Sequence, residues 1–89
     1  MTKVIKFYAN WCGPCRVYAK TFDKVEKNIT ELHKSVEFLN IDIEKDTSGL
    51  AAKYKANNIP FTVVEKDGLV KTHTGRMNEE ELKSFILDE

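Results

Sequence analysis

An apolar run from Val4 to Ala9 leads almost directly into Trp11-Cys12-Gly13-Pro14-Cys15, and the pentapeptide leads directly into a long helical pattern. Nothing else in the chain fixes local structure so tightly, because it sets a strand, a tight junction and a helix in order. These are also the only two cysteines. A Cys-x-x-Cys pair at a strand-to-helix junction, in a chain without secretory context, reads as a redox motif. The first N–H groups of a helix have no intrahelical partner, and the helix dipole favours negative charge there. A Cys12 thiolate in that field should titrate below the free-thiol value of about 8.5. Cys15 follows one turn later, within reach of a disulfide with Cys12. Gly13 permits close backbone approach, and Pro14 suits the first helical turn, where a missing N–H costs nothing.

Other readings of the cysteines are weaker. A purely structural disulfide would close a very small loop and remove little chain entropy. The chain also lacks the cysteine density of a stapled secreted scaffold. A structural zinc site needs four ligands at characteristic spacings, and His33 and His73 fit no such pattern. No metal is expected.

The 89 residues suit a single domain over 1–89, of modest stability. Fourteen Lys and Arg balance fourteen Asp and Glu. With no long basic block, neither nucleic acid nor an anionic membrane is the expected partner. No apolar leader and no membrane-spanning stretch is evident, which points to the cytoplasm, where a dithiol is kept mostly reduced. Asn28-Ile29-Thr30 matches a glycosylation sequon inside a helical pattern and is read as coincidence.

The rest of the chain alternates in period. Lys3 to Ala9, broken only by Lys6, suits a central strand covered on both faces. Tyr18, Phe22, Val25, Ile29 and Leu32 mark the inward face of a helix running to about Lys34. Val36 to Asp42 reads as a second strand. Asp46 or Thr47 is placed to cap a short helix carrying Leu50, Ala51 and Tyr54, ended by Asn57-Asn58. Asp67-Gly68 between Phe61–Lys66 and Leu69–Thr74 is a strong hairpin signal. Gly75 ends the second hairpin strand. Asn78 and Glu81 form a capping box for a last helix, with Met77 and Leu82 as its staple, and Leu82, Phe85 and Ile86 face inward. The order is βαβαββα. Strands flanking a helix should run parallel with a right-handed crossover, so a four-stranded mixed α/β sheet with helices on both faces follows.

The pentapeptide and this element order resemble thioredoxin. The resemblance covers nearly the whole chain from Val4 and implies a minimal thioredoxin fold, without the extra N-terminal strand and helix of full-length members. It makes Asn58-Ile59-Pro60 the segment carrying the family's cis-proline, beside the dithiol, with the Ile59 backbone pairing with a bound peptide. Asn40-Ile41-Asp42 matches the end of the neighbouring strand, and Gly75 the glycine lining the substrate groove. Cys12 and Cys15 are then the catalytic pair. Trp11, Gly13, Pro14, Ile59, Pro60 and Gly75 are the substrate-binding residues, with Trp11 on the groove rim. Tyr8 is assigned to core packing, and Arg76, His33 and His73 to the surface.

The departures from the family are specific. Without the leading strand, Val36–Asp42 becomes a sheet edge, a pairing liability. The family's buried aspartate, six positions before the first cysteine, is Lys6 here. The lysine that usually faces it corresponds to Phe38, and the helix-kinking proline to Lys20, so a straighter first helix is expected. Two readings of Lys6 stand side by side. Its stem packs while its ammonium snorkels to solvent, or its charge lies near Cys15 and lowers the thiol pKa values. Val4 and Tyr8, its same-face neighbours on the strand, offer no carboxylate.

By resemblance, the chain is a thiol–disulfide oxidoreductase acting on protein disulfides. It needs no bound cofactor, is reduced by an NADPH-dependent thioredoxin reductase, and is expected to be a monomer. Two alternatives stay open: a glutaredoxin-like protein reduced by glutathione, and a thioredoxin-fold binding module with an incidental dithiol. Short length favours the first. Against it stand the Trp-Cys-Gly-Pro-Cys motif and Arg76, where a second glycine would be expected.

Overall fold

The computed structural model of the chain describes residues 1–88. Its elements are β1 (Thr2–Tyr8), α1 (Gly13–Leu32), β2 (Val36–Asp42), α2 (Leu50–Lys53), β3 (Phe61–Lys66), β4 (Leu69–Thr74) and α3 (Glu79–Leu87). The sheet order is β2-β1-β3-β4. β1 pairs parallel with β2 and antiparallel with β3, and β3 pairs antiparallel with β4. This is the thioredoxin fold read from the sequence, with β2 at a free edge.

Period-two alternation divides the two central strands between two cores. On one face Val4 and Val64 pack against Tyr18, Phe22, Val25 and Ile29 of α1 and Leu82 and Ile86 of α3. On the other, Ile5, Phe7, Phe61 and Val63 pack against Leu50, Ala51 and Tyr54. Each fully buried aliphatic or aromatic side chain contributes about 1.5–3 kcal/mol, so the α1 stripe alone anchors the helix behind the dithiol. That stripe ends at Ile29. Leu32, expected to face inward, is 79% exposed.

Local chemistry sets the element ends. Asp67 and Gly68 both take positive φ, 51° and 85°, as a two-residue type I′ turn requires. The Asn78 side chain accepts from the Glu81 N–H while the Glu81 carboxylate accepts from the Asn78 N–H, closing the capping box. Met77 and Leu82 join the α1-facing core as the staple.

The short helix differs from expectation. Its N-cap is Gly49, at φ 79°, rather than Asp46 or Thr47. Asp46 still serves that end from outside: its carboxylate accepts the Ala51 N–H at 3.0 Å and the Ser48 N–H at 2.8 Å. These bonds hold its carboxyl below the usual range, the Ser48 hydroxyl contributing most. The helix stops at Lys53, before Asn57-Asn58, because Lys55 turns to φ 56°. Among the described residues, no helix is long and apolar enough to cross a membrane.

Candidate functional site: a dithiol at a helix N-terminus

β1 ends at Tyr8, and four residues later Cys12 caps α1. The Cys12 N–H donates to the Ala9 carbonyl at 3.2 Å, which folds the junction back on the strand end. Arg16 fastens it from the helix side: its Nε and Nη2 donate to the Asn10 carbonyl at 3.2 and 3.0 Å. Pro14 occupies the first helical turn, as its fixed φ and missing N–H favour. Gly13 has nothing within 4 Å of where a side chain would begin, so its surface is open.

Cys12 and Cys15 are joined by a disulfide, their Cα atoms 5.2 Å apart. The Cys12 sulfur accepts the Cys15 N–H at 3.2 Å, taking up one of the helix's free donors. A thiolate at that sulfur would receive the same bond with more strength, because hydrogen bonds to ionised acceptors are the stronger ones. Both cysteines are nearly enclosed, 6% and 3% exposed, and pack with Ala9, Tyr8, Ile43 and Ile59. Trp11 beside them is 66% exposed.

The loop before β3 closes the other side. The Ile59–Pro60 peptide bond is cis, as the resemblance implied. Cys12 Sγ lies 3.9 Å from the Ile59 carbonyl oxygen. Pro60 is buried, and its carbonyl accepts the Gly75 N–H at 2.8 Å. Gly75 sits at φ 97°, a conformation that favours glycine. Ile59 packs against both cysteines, and Gly75 is tied to Pro60 by its N–H, while Trp11, Gly13 and Pro14 flank Cys12 and Cys15 along the chain.

Lys6 lies behind the pair rather than in front of it. It is 5% exposed and shares with Cys15 the lining of a hollow of about 520 Å³, to which Tyr8, Arg16, Asp23 and Asn40 also contribute. Its Nζ stands 5.0 Å from the Phe22 ring centroid and 5.3 Å from that of Tyr8. Burial pulls its pKa below the ordinary lysine value, and the Asp23 and Glu26 carboxylates oppose that fall. The strand offers no carboxylate, as read from the sequence, but α1 supplies two. The clue was the spacing Cys15, Ala19, Asp23, which sets one carboxylate in line with the dithiol along the helix. In register Phe38 pairs with Val4, while Lys6 pairs with Asn40 and Thr62, and Phe38 and Lys6 both meet the Phe22 ring.

A buried polar contact ties the first helix to the sheet. The hydroxyls of Tyr18 and Thr62 bond at 2.7 Å between α1 and β3, both residues almost wholly enclosed. Burial pushes the Tyr18 hydroxyl up to about 12, with the Thr62 bond partly opposing. Among the described residues no cluster of three or more His, Cys, Asp or Glu is placed to hold a metal ion.

Comparison with known proteins agrees with this geometry. The family model described as Thioredoxin matches residues 1–88. A Pseudomonas aeruginosa thioredoxin is 33% identical over 84 residues, covering 93% of this chain and 74% of its own length. The mouse mitochondrial thioredoxin is 31% identical over 84 residues, and this chain spans only 48% of its length. The X-ray structure of Fasciola hepatica thioredoxin superposes with a TM-score of 0.82 at 35% identity, covering 98% of this chain and 79% of that one. Family model, sequence relatives and superposed structure all agree, and the chain belongs to the thioredoxin family.

Proposed function

We propose that this protein is a thiol–disulfide oxidoreductase that reduces disulfides in protein substrates. The observation that carries the reading is the Cys12 sulfur at the α1 N-terminus, bonded by the Cys15 N–H and 3.9 Å from the Ile59 carbonyl. In the reduced protein, Cys12 thiolate attacks one sulfur of the substrate disulfide, whose S–S bond breaks and releases a substrate thiolate. Cys15 then loses its proton and attacks the Cys12 sulfur. The mixed disulfide breaks, and the second substrate thiolate leaves. Two electrons pass from the dithiol to the substrate, the substrate thiolates take up two protons from solvent, and the disulfide seen here is the product.

Trp11, Gly13 and Pro14 form one wall of the substrate groove. The Ile59 backbone, Pro60 and Gly75 form the other. Family membership supports return of the disulfide to the dithiol by an NADPH-dependent thioredoxin reductase, with no cofactor resident in this chain. The small cysteine complement supports a reducing compartment, read as the cytoplasm.

The test is turnover of a protein disulfide such as that of insulin, with thioredoxin reductase and NADPH in one arm and glutathione with its reductase in the other. Rapid turnover in the first arm alone supports the reading. Turnover in the second arm alone assigns the protein to glutathione. No turnover in either, with biological activity surviving Cys12→Ser, makes it a binding module.

A further inference from the structure

We propose that Lys6 is a positioning residue for the resolving thiol: its ammonium, held in the hollow behind Cys15, stabilises the Cys15 thiolate that displaces the substrate from Cys12. This inference rests on the redox reading above and assigns a role to a cation buried behind the dithiol.

Cys15 is 3% exposed, so its thiolate gains little from bulk water and depends on nearby charge. The groups around the hollow are few. From α1 come Arg16, Asp23 and Glu26. Tyr8 comes from β1, Asn40 from β2 and, beside Lys6 in register, Thr62 from β3. The Arg16 guanidinium is committed to the Asn10 carbonyl. The Thr62 hydroxyl is committed to Tyr18. Asn40 is uncharged.

Lys6 is therefore the enclosed cation, fixed by its stem in the sheet and by the faces of Phe22 and Tyr8. Asp23 and Glu26 favour its charged form against burial. The Cys15 proton leaves to water through the hollow that Cys15 and Lys6 share. The thiolate left behind sits in the field of the ammonium. The bond changes are those already given: Cys15–Cys12 forms, Cys12–substrate breaks, and the electron pair leaves on the substrate sulfur.

The experiment titrates Cys15 alone. In a Cys12→Ser background, ultraviolet thiolate absorbance is followed against pH with Lys6 present and with Lys6→Met, Lys6→Gln and Lys6→Arg. An opposite charge at ~4–6 Å moves a pKa by about 1–3 units, and the effect falls off with distance. We therefore expect Lys6→Met to lower the thiolate fraction at a fixed pH below the midpoint by about 3–10-fold. Lys6→Gln carries the same expectation if the Met variant fails to fold. Lys6→Arg, which keeps the charge, restores the parental curve. Superimposed curves for the parent and the neutral variants overturn the proposal. A Lys6-dependent shift in a protein that reduces no disulfide would instead overturn the redox reading, so the two failures are distinct.

Discussion

The buried hydroxyl pair between α1 and β3 gives a prediction whose size follows from its enclosure. Tyr18 and Thr62 bond at 2.7 Å with 1% and 0% exposure, so neither hydroxyl has water to fall back on. Tyr18→Phe removes one partner and strands the other, which costs about 1–3 kcal/mol. Thr62→Val strands the Tyr18 hydroxyl at a similar cost of about 1–3 kcal/mol. The double variant removes both polar groups while nearly keeping their shapes, and should lie close to the parent. At this chain size each kcal/mol shifts Tm by roughly 4–8 °C.

The pair also has a pH signature. The Tyr18 hydroxyl titrates at about 12 when folded against 10.0 ordinarily, so the folded state holds its proton more tightly. That preference is fully present below the unfolded value and is lost as pH rises through the folded one. It amounts to something on the order of 3 kcal/mol. Urea midpoints for the four proteins of the cycle, taken near neutrality and from pH 10 upward, measure both effects. Strictly additive single-variant costs refute the pairing. Parallel alkaline losses in the parent and in Tyr18→Phe refute the titration.

Three further outcomes follow from the local geometry. Asn78→Ala removes the side-chain acceptor of the Glu81 N–H, the one capping-box bond its side chain makes, and should cost about 0.5–2 kcal/mol in urea unfolding, whereas Leu32→Gln, at the exposed end of α1, should stay within about 0.5 kcal/mol of the parent. Gly75→Ala has room for a methyl but forces φ 97° on a residue that resists it, so stability should fall by more than about 1 kcal/mol and the groove beside Pro60 should handle substrate less well, read as a higher KM for a protein disulfide.

The sequence disclosed the fold wherever one local rule dominated. The two hairpin strands and β2 have the ends expected of them, because Asp67-Gly68 permits one tight turn between two short apolar runs. Cys12, Cys15 and the Ile59–Pro60 segment were legible because a rare pentapeptide and a strand-start proline sit at a recognisable distance. What stayed hidden depended on elements meeting across the core. Asp46 looked like an N-cap, but the loop from Asp46 to Gly49 folds so that Gly49 takes that place. Leu32 continued a perfect helical stripe, yet it stands in solvent at the end of α1. The carboxylates that act on Lys6 stand on α1 rather than along β1. Tyr18 and Thr62 looked like ordinary core and strand residues, since a bond across 44 positions leaves no local trace.

The central claim is that the two sulfurs divide the chemistry, Cys12 attacking and Cys15 resolving. The most direct measurement is the alkylation rate of each thiol in the reduced protein near neutral pH, read residue by residue by mass spectrometry. Cys12 accepts the helix N–H and adjoins the open surface of Gly13 and the exposed Trp11, while Cys15 stands one turn into the helix and is the more enclosed of the two. Cys12 should therefore label at least about ten times faster. Equal rates, or faster labelling of Cys15, would contradict the account.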